Sequence, residues 1–389
     1  MLKKNRLFTP GPTPLLPAAA RAMAGADIHH RTADFRNLYQ GVLTDLKTFV
    51  GTQNDVLLLA ASGTGAMEAS VSNLTSPGDR VLVVTAGKFG ERWRDITKAF
   101  GCEVDLVEAP YGETVTPEAV RAKLTPETRV VYMQATESST GARHDVQSIA
   151  KLVQGTETLL VVDGITGLGT THLDVDGWGI DVIIGGSQKA LMIPPGLAYL
   201  SVSERAWKRM DTAKHPRYYF DLRKERKAAA KGESSFTPAT SLIVALAAAF
   251  DYLRENGSGS VARGREMLVD NAEIAAAMTR AAVEPLRLKL FAPSCPAAAL
   301  TAIQPPNGLD SGEIVKHFRV QFGAVIANGQ GDMKGHLFRL AHIGYYDYMD
   351  TIGAIAALEQ IIGALKPGHL EFGFAVRAAQ EVFARNPRA

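Results

Sequence analysis

Cysteine is nearly missing from this 389-residue chain, which has only Cys102 and Cys295. Two distant thiols build neither a disulfide framework nor a four-cysteine metal site, and no metal is expected; a reducing, cytoplasmic setting is. Charge of one sign is also missing. The formal net charge is +2, too small to create the basic field that nucleic-acid binding needs, so no nucleic-acid partner is expected. There is no long hydrophobic run: the longest, "LIVALAAAF" (242–250), is far too short to span a bilayer, and no membrane association is expected. The opening "MLKKNRLFTPGPTP" carries positive charge without a following apolar run, so no secretory signal is expected, and the closing "ARNPRA" carries no lipidation motif.

What is present is ordinary globular material with an orderly pattern. Apolar residues make up 46% and charged residues 21%, and the length suits about two or three structural units around a large core. "DVLLLAA" (55–61), "RVLVVTA" (80–86), "RVVYMQA" (129–135), "TLLVVDG" (158–164) and "DVIIGGS" (181–187) read as strands apolar on both faces. "GAMEASVSNLT", "FGERWRDITKAFG" and "HDVQSIAKLVQG" between them have helical spacing. Strands buried on both faces and alternating with helices predict an α/β, mostly parallel, doubly wound sheet whose ligands sit at the strands' C-terminal ends. After residue 255 the pattern changes, and "AAALTAIQPP", "VIANGQG" and "HLFRLAHIG" read as strands of a separate sheet. We expect an N-terminal arm (1–14), a large domain (15–255) and a smaller C-terminal α+β domain (256–389). "DLRKERKAAAKGE" (221–233) reads as a charged, solvated connector.

Three places carry candidate chemistry. "ASGTGAMEAS" (61–70) runs from a strand through small residues into a helix, an arrangement whose backbone N–H groups and dipole suit a phosphate. It lacks the third glycine of a dinucleotide fingerprint, having Glu68 there, and it lacks the lysine of a P-loop; a tight structural turn is the competing reading. Asp163 ends the fourth apolar run, where a carboxylate either faces the ligand crevice or caps a helix. Lys189 stands 26 residues later in "GGSQKALMIPPG", between glycines and a Pro-Pro-Gly turn. If the two strands are neighbours, a lysine, a carboxylate and a phosphate cradle meet in one crevice. That is equipment for pyridoxal phosphate: a Schiff base from the lysine, a partner for the pyridine nitrogen from the carboxylate.

On "TPGPTPLLP", "SGTGAMEA", "GKFGERW", "TESSTG", "VVDGITGLG", "GSQKALMIPPG" and "FRLAHIG", the chain resembles the class V aminotransferases of pyridoxal-phosphate fold type I. It is most similar to the alanine–glyoxylate and serine–glyoxylate (serine–pyruvate) group, over nearly its whole length. The resemblance implies that Lys189 bonds covalently to the cofactor and that Asp163 pairs with its ring nitrogen. It implies phosphate contacts from Thr64, Gly65, Ala66 and Gln188, ring stacking by Phe89, and Ser138 near ring and substrate. Many relatives have Trp or Tyr where Phe89 stands. Thr237 matches a position that reaches the phosphate of the neighbouring subunit, although relatives often carry an aromatic hydroxyl where this chain has Ser234. Arg339 matches the arginine that grips the substrate α-carboxylate, a task suited to a planar fork of donors. A homodimer with active sites at its interface is implied as well.

The activity that this resemblance implies is transfer of an amino group from serine or alanine to glyoxylate or pyruvate. Other readings stay open. His30-Arg31 resembles a pair that holds a phosphorylated substrate in phosphoserine aminotransferases, although a similar pair occurs in the serine–glyoxylate group, where it orders the entrance. A phosphorylated or phosphonate donor, or a lyase reaction, remains an alternative on the same cofactor. A nicotinamide-dependent dehydrogenase is opposed by the missing third glycine and acidic ribose partner. A soluble hydrogenase subunit, a label also used in this family, is opposed by the two distant cysteines, which we expect to be buried or inert.

Overall fold

The structure, a computed structural model, describes residues 2–25 and 27–386. Residues 387–389, which close the expected second domain and the "ARNPRA" stretch, lie outside the described residues. The strands are β1 (Arg6–Phe8), β2 (Asp55–Leu59), β3 (Arg80–Thr85), β4 (Glu103–Glu108) and β5 (Val130–Gln134). They continue with β6 (Thr136–Glu137), β7 (Ala142–Arg143), β8 (Leu159–Asp163), β9 (Val182–Gly186) and β10 (Ala198–Val202). The last four are β11 (Lys289–Leu290), β12 (Leu300–Gln304), β13 (Ala324–Asn328) and β14 (Phe338–Ala341).

Seven strands form one sheet in the order β2-β10-β9-β8-β5-β3-β4. Strands β9, β8, β5, β3 and β4 run parallel, and β10 is antiparallel to both its neighbours. The five expected strands are all present. Two were not read from the sequence. β4, "EVDLVE", is an edge strand with charged residues at alternate positions, which hides its apolar face. β10, "AYLSV", is fully buried, but no local pattern reveals its reversed direction. Strands β3, β5, β8 and β9 are rich in Val and Ile because both faces are covered, one by the cluster around Leu82, Val131 and Val162, the other by that around Val83, Tyr132 and Val161.

The second sheet has the order β1-β13-β14-β12-β11. Its core gathers Phe8, Ile303, Phe318, Phe338 and Leu340 with Ile355 and Leu358. Residues 6–8 of the N-terminal arm are thus an edge strand, pairing in parallel with Ala324–Ile326. The 23-residue helix Val261–Val283 crosses between the units, opened by Ser260, whose side chain accepts from Arg263 N. The segment read as a solvated connector contains a helix, Leu222–Ala229, capped by Asp221. Leu222 and Glu225 are buried there, and Glu225 accepts from Tyr39 Oη at 3.3 Å and from Ser235 N at 2.9 Å. Those two bonds, made to distant residues, are what the local charge pattern could not show. Among the described residues no helix is long and apolar enough to cross a membrane.

Candidate active site

Parallel pairing of β8 with β9, with Asp163 opposite Ile184, brings the ends of both strands to one crevice. Lys189 follows β9 in a loop that turns tightly: Ser187 Oγ donates to Pro194 O at 2.7 Å, and Ser187 N donates to Leu197 O at 3.0 Å. The lysine side chain is 8% exposed. Burial pushes its pKa down to about 8; Asp163 works against that, and Arg339 and Arg92 add to it. The four charges therefore share one crevice. Asp163 is buried and pushed up to about 6, chiefly by burial, with Ile165 N, Lys189 and Arg92 pulling the other way. Its Oδ1 accepts from Ile165 N at 2.8 Å, and Oδ2 has no protein donor among the described residues.

The turn after β2 enters the helix Gly63–Leu74, which places Thr64, Gly65 and Ala66 in its first turn. Ser62 at the N-cap makes no side-chain capping bond, so the helix end remains available to an anion. Glycine is required there by close packing: a Cβ on Gly63 would lie 2.3 Å from Ile165 Cδ1, and one on Gly65 2.8 Å from Ala61 Cβ. Gln188, next to the lysine, has a buried Oε1 without a partner. Phe89 lies in the first turn of the helix Lys88–Ala99 and is half-buried.

Arg339, on β14, is 4% exposed. Its Nε and Nη2 donate to Asn328 O at 3.2 and 2.6 Å, and its Nη1 donates to Ser138 O at 2.7 Å. It thus ties the second sheet to the loop after β6, and it forms no ion pair among the described residues. Burial pushes its pKa down to about 10, which leaves it charged at neutral pH, with Glu137 opposing the fall. Ser138 is buried beside it.

Thr237 and the His30-Arg31 pair stand apart. Thr237 is exposed in the segment before the helix Thr240–Asn256 and has no hydrogen bond to the crevice residues among those described. Around it lies an uncovered aromatic group: Tyr218 is 74% and Tyr219 50% exposed, and Tyr219 stacks on Phe236 with centroids 4.9 Å apart. His30 and Arg31 lie in the loop before the helix Ala33–Val50, with the His29 and His30 rings 4.7 Å apart and Arg31 exposed. Cys102 is buried, its thiol pushed up by burial, and Cys295 is half-buried.

Sequence reading missed three contributors. Arg92, one turn after Phe89, places its guanidinium 4.7 Å from the Phe89 ring centroid and donates to Thr64 Oγ1 at 3.1 Å. The i,i+3 spacing of Phe89 and Arg92 on one helix was the available signal. Glu137 is fully buried and accepts from Phe89 N (3.0 Å), Gly90 N (3.2 Å), Ser139 N (3.1 Å) and Ser139 Oγ (2.5 Å). It holds the start of the Phe89 helix against the Ser138 loop. Burial raises its pKa, against the pull of those four bonds. The third is the arm: Lys189 Nζ donates to Pro10 O, Thr13 Oγ1 donates to Lys189 O at 3.0 Å, and Thr13 N donates to Gln188 O at 3.1 Å. Contacts across 175 to 179 residues leave no local pattern.

This crevice fits pyridoxal phosphate. Its anion end is an uncapped helix start, its floor carries a carboxylate oxygen open to a ring N–H, and its lysine is buried and easily deprotonated. Among the described residues no group of three or more His, Cys, Asp or Glu side chains could hold a metal ion.

Comparison with known proteins agrees with that chemistry. A profile of the family described as Aminotransferase class-V matches residues 18–278. The chain is 40% identical over 389 residues to the soluble hydrogenase 42 kDa subunit of Anabaena cylindrica, covering 98% of this chain and 99% of that one. It is 32% identical over 402 residues to the serine–glyoxylate aminotransferase of Methylorubrum extorquens, covering 99% and 98%. Among solved structures, the aspartate aminotransferase of subgroup IV from Thermus thermophilus superposes with a TM-score of 0.85 at 34% identity, covering 92% and 99%.

Proposed function

The chain belongs to the class-V aminotransferases, whose cofactor is pyridoxal phosphate, and from that premise we propose that it moves the amino group of serine or alanine to glyoxylate or pyruvate. The observation that carries this reading is the meeting of buried Lys189, Asp163 and Arg339 in one crevice. The serine–glyoxylate activity named for one relative supports the choice of substrates.

When bound, the cofactor supplies an electron sink that makes the substrate Cα–H acidic. The chain's own groups do the rest. Lys189 would hold the cofactor through Nζ and, once freed from it, would take the substrate Cα proton; a pKa near 8 suits a base at neutral pH. Asp163 Oδ2 would accept the ring N–H and keep that nitrogen protonated. Thr64, Gly65, Ala66 and Gln188 would hold the phosphate, and Phe89 would stack on the ring. Arg339 takes the substrate carboxylate with its unspent N–H groups, beside Ser138.

The protein acts as a homodimer in this account, with Thr237 reaching the partner's phosphate. The exposed Tyr218 and Tyr219, with half-buried Phe236 beside it, support that surface as the interface. Light scattering should return a dimer, and an active monomer would refute this part. The whole reading is tested by following the visible absorption of the holoenzyme while single amino acids are added. Serine or alanine should bleach the cofactor band and glyoxylate or pyruvate restore it; no response to either donor would overturn the assignment.

A further inference from the structure

A second cavity, of about 440 Å³, opens where the loop after β7 meets the segment leading into β12. None of Lys189, Asp163, Thr64, Phe89, Ser138 and Arg339 lines it. Its walls are joined by Arg143 N donating to Cys295 O at 2.8 Å and Ala297 N donating to Gly141 O at 2.8 Å. The volume suits a small molecule.

The lining has hydrogen-bonding groups to spare and one carboxylate. His144 forms part of the wall and is 4% exposed; the Gln134 carbonyl lies close enough to favour its charged form, and its ring nitrogens make no further hydrogen bond among the described residues. A buried imidazole with a nitrogen to spare is costly unless something else uses it. Arg143 has five N–H groups, and its side chain makes one long bond, 3.5 Å to Thr171 Oγ1. Gln147, Thr114 and Ser294 add an amide and two hydroxyls, and His172 lies at the rim. The one carboxylate in the lining, Asp145, is committed to Ser148 N at 3.0 Å as a helix cap. Behind the wall, Arg280 is tethered to Ala297 O at 3.3 Å and feels the charge of Arg143, with Glu273 opposing. Cys295 donates away from the cavity, to Gly112 O.

The unspent N–H groups of Arg143, beside a buried imidazole with a nitrogen to spare, suit a ligand that brings acceptors. We propose that this cavity is a second ligand site that binds a small oxyanion, a carboxylate or a phosphate, between the Arg143 guanidinium and the His144 imidazole. Burial holds His144 near a pKa of about 4, against the pull of the Gln134 carbonyl, so it is neutral without a ligand; an anion beside it pulls protonation toward the ordinary value of 6.5, which turns the second ring nitrogen into a donor.

The test is histidine NMR on the holoenzyme, with the His144 resonance assigned by His144→Phe. Inorganic phosphate and acetate are titrated separately into wild type, Arg143→Gln and Arg339→Lys. Arg143 is exposed, so its replacement leaves the fold intact. At least one anion should move the His144 resonance saturably and raise its pKa. Arg143→Gln should weaken that response roughly tenfold or more, and Arg339→Lys should leave it unchanged. Response to phosphate alone assigns the natural ligand to phosphate esters, and response to acetate alone to carboxylates. No saturable shift with either anion up to roughly 50 mM, or an undiminished response in Arg143→Gln, overturns the proposal.

Discussion

Replacing Arg339 with lysine separates a substrate-gripping role from a structural one. A guanidinium has five N–H groups. Three are spent: Nε and Nη2 on Asn328 O at 3.2 and 2.6 Å, and Nη1 on Ser138 O at 2.7 Å. One N–H remains on each terminal nitrogen, enough for both oxygens of a carboxylate. Its pKa, pushed down only to about 10, keeps the charge at neutral pH, so arginine and lysine differ in geometry and not in charge. Losing one charge-assisted hydrogen bond costs about 1.5–3 kcal/mol, roughly 10- to 150-fold in kcat/KM. The assay compares kcat/KM for serine and alanine with the rate at which 2-aminoethanol, which has no carboxylate, changes the holoenzyme spectrum. Arg339→Lys should depress the two amino acids by that factor, spare the amine and leave cofactor affinity unchanged. Equal losses for all three would mean that Arg339 only ties Asn328 to Ser138 and that the substrate carboxylate is held elsewhere.

Asp163→Asn should lower kcat by at least about a hundredfold, because a neutral amide cannot hold the ring nitrogen protonated. The same substitution has a stability signature in the cofactor-free protein. With a folded pKa of about 6 against an ordinary 3.8, Asp163 keeps a proton that the unfolded chain has released, so it opposes folding increasingly as pH rises from about 4 to 6. Denaturant titrations should therefore find Asp163→Asn more stable than wild type at pH 7, with the difference vanishing below pH 4; a variant less stable at pH 7 would contradict this. Gly11→Ala should displace the lysine: φ is +149° there, and the new Cβ would sit 2.5 Å from Lys189 Nζ. Weaker covalent attachment of the cofactor with an unchanged melting curve for the second sheet is expected, and wild-type attachment would show that the arm does not position Lys189.

Much of the fold was legible because its signals are local. Runs such as "VLVV" and "LLVVD" are apolar on both faces only when helices cover both, and that predicted the parallel sheet. The pairing of β8 with β9, on which the meeting of Asp163 and Lys189 depends, was only a condition in the sequence, and the fold meets it. The direction of β10 was not legible, since strand direction is a matter of connection and not of composition. In the site, Lys189, Asp163 and Arg339 stood out through their setting in the motifs. Glu137 did not, because its value lies in four donors that converge on it only after the Phe89 helix and the Ser139 loop have folded together. The carbonyl of Pro10 under Lys189 has no side-chain signature at all. Thr237 illustrates the opposite limit, a motif residue with no bond to the crevice residues among those described, whose proposed role needs a second subunit.

The central claim is that Lys189 carries the cofactor. Borohydride reduction of the holoenzyme fixes the lysine–cofactor bond, and peptide mapping then locates it. The account predicts one labelled peptide, the one containing "GSQKAL", and no covalent label in Lys189→Ala. Label on any other lysine of the wild-type protein, or a covalent label retained in Lys189→Ala, would contradict it.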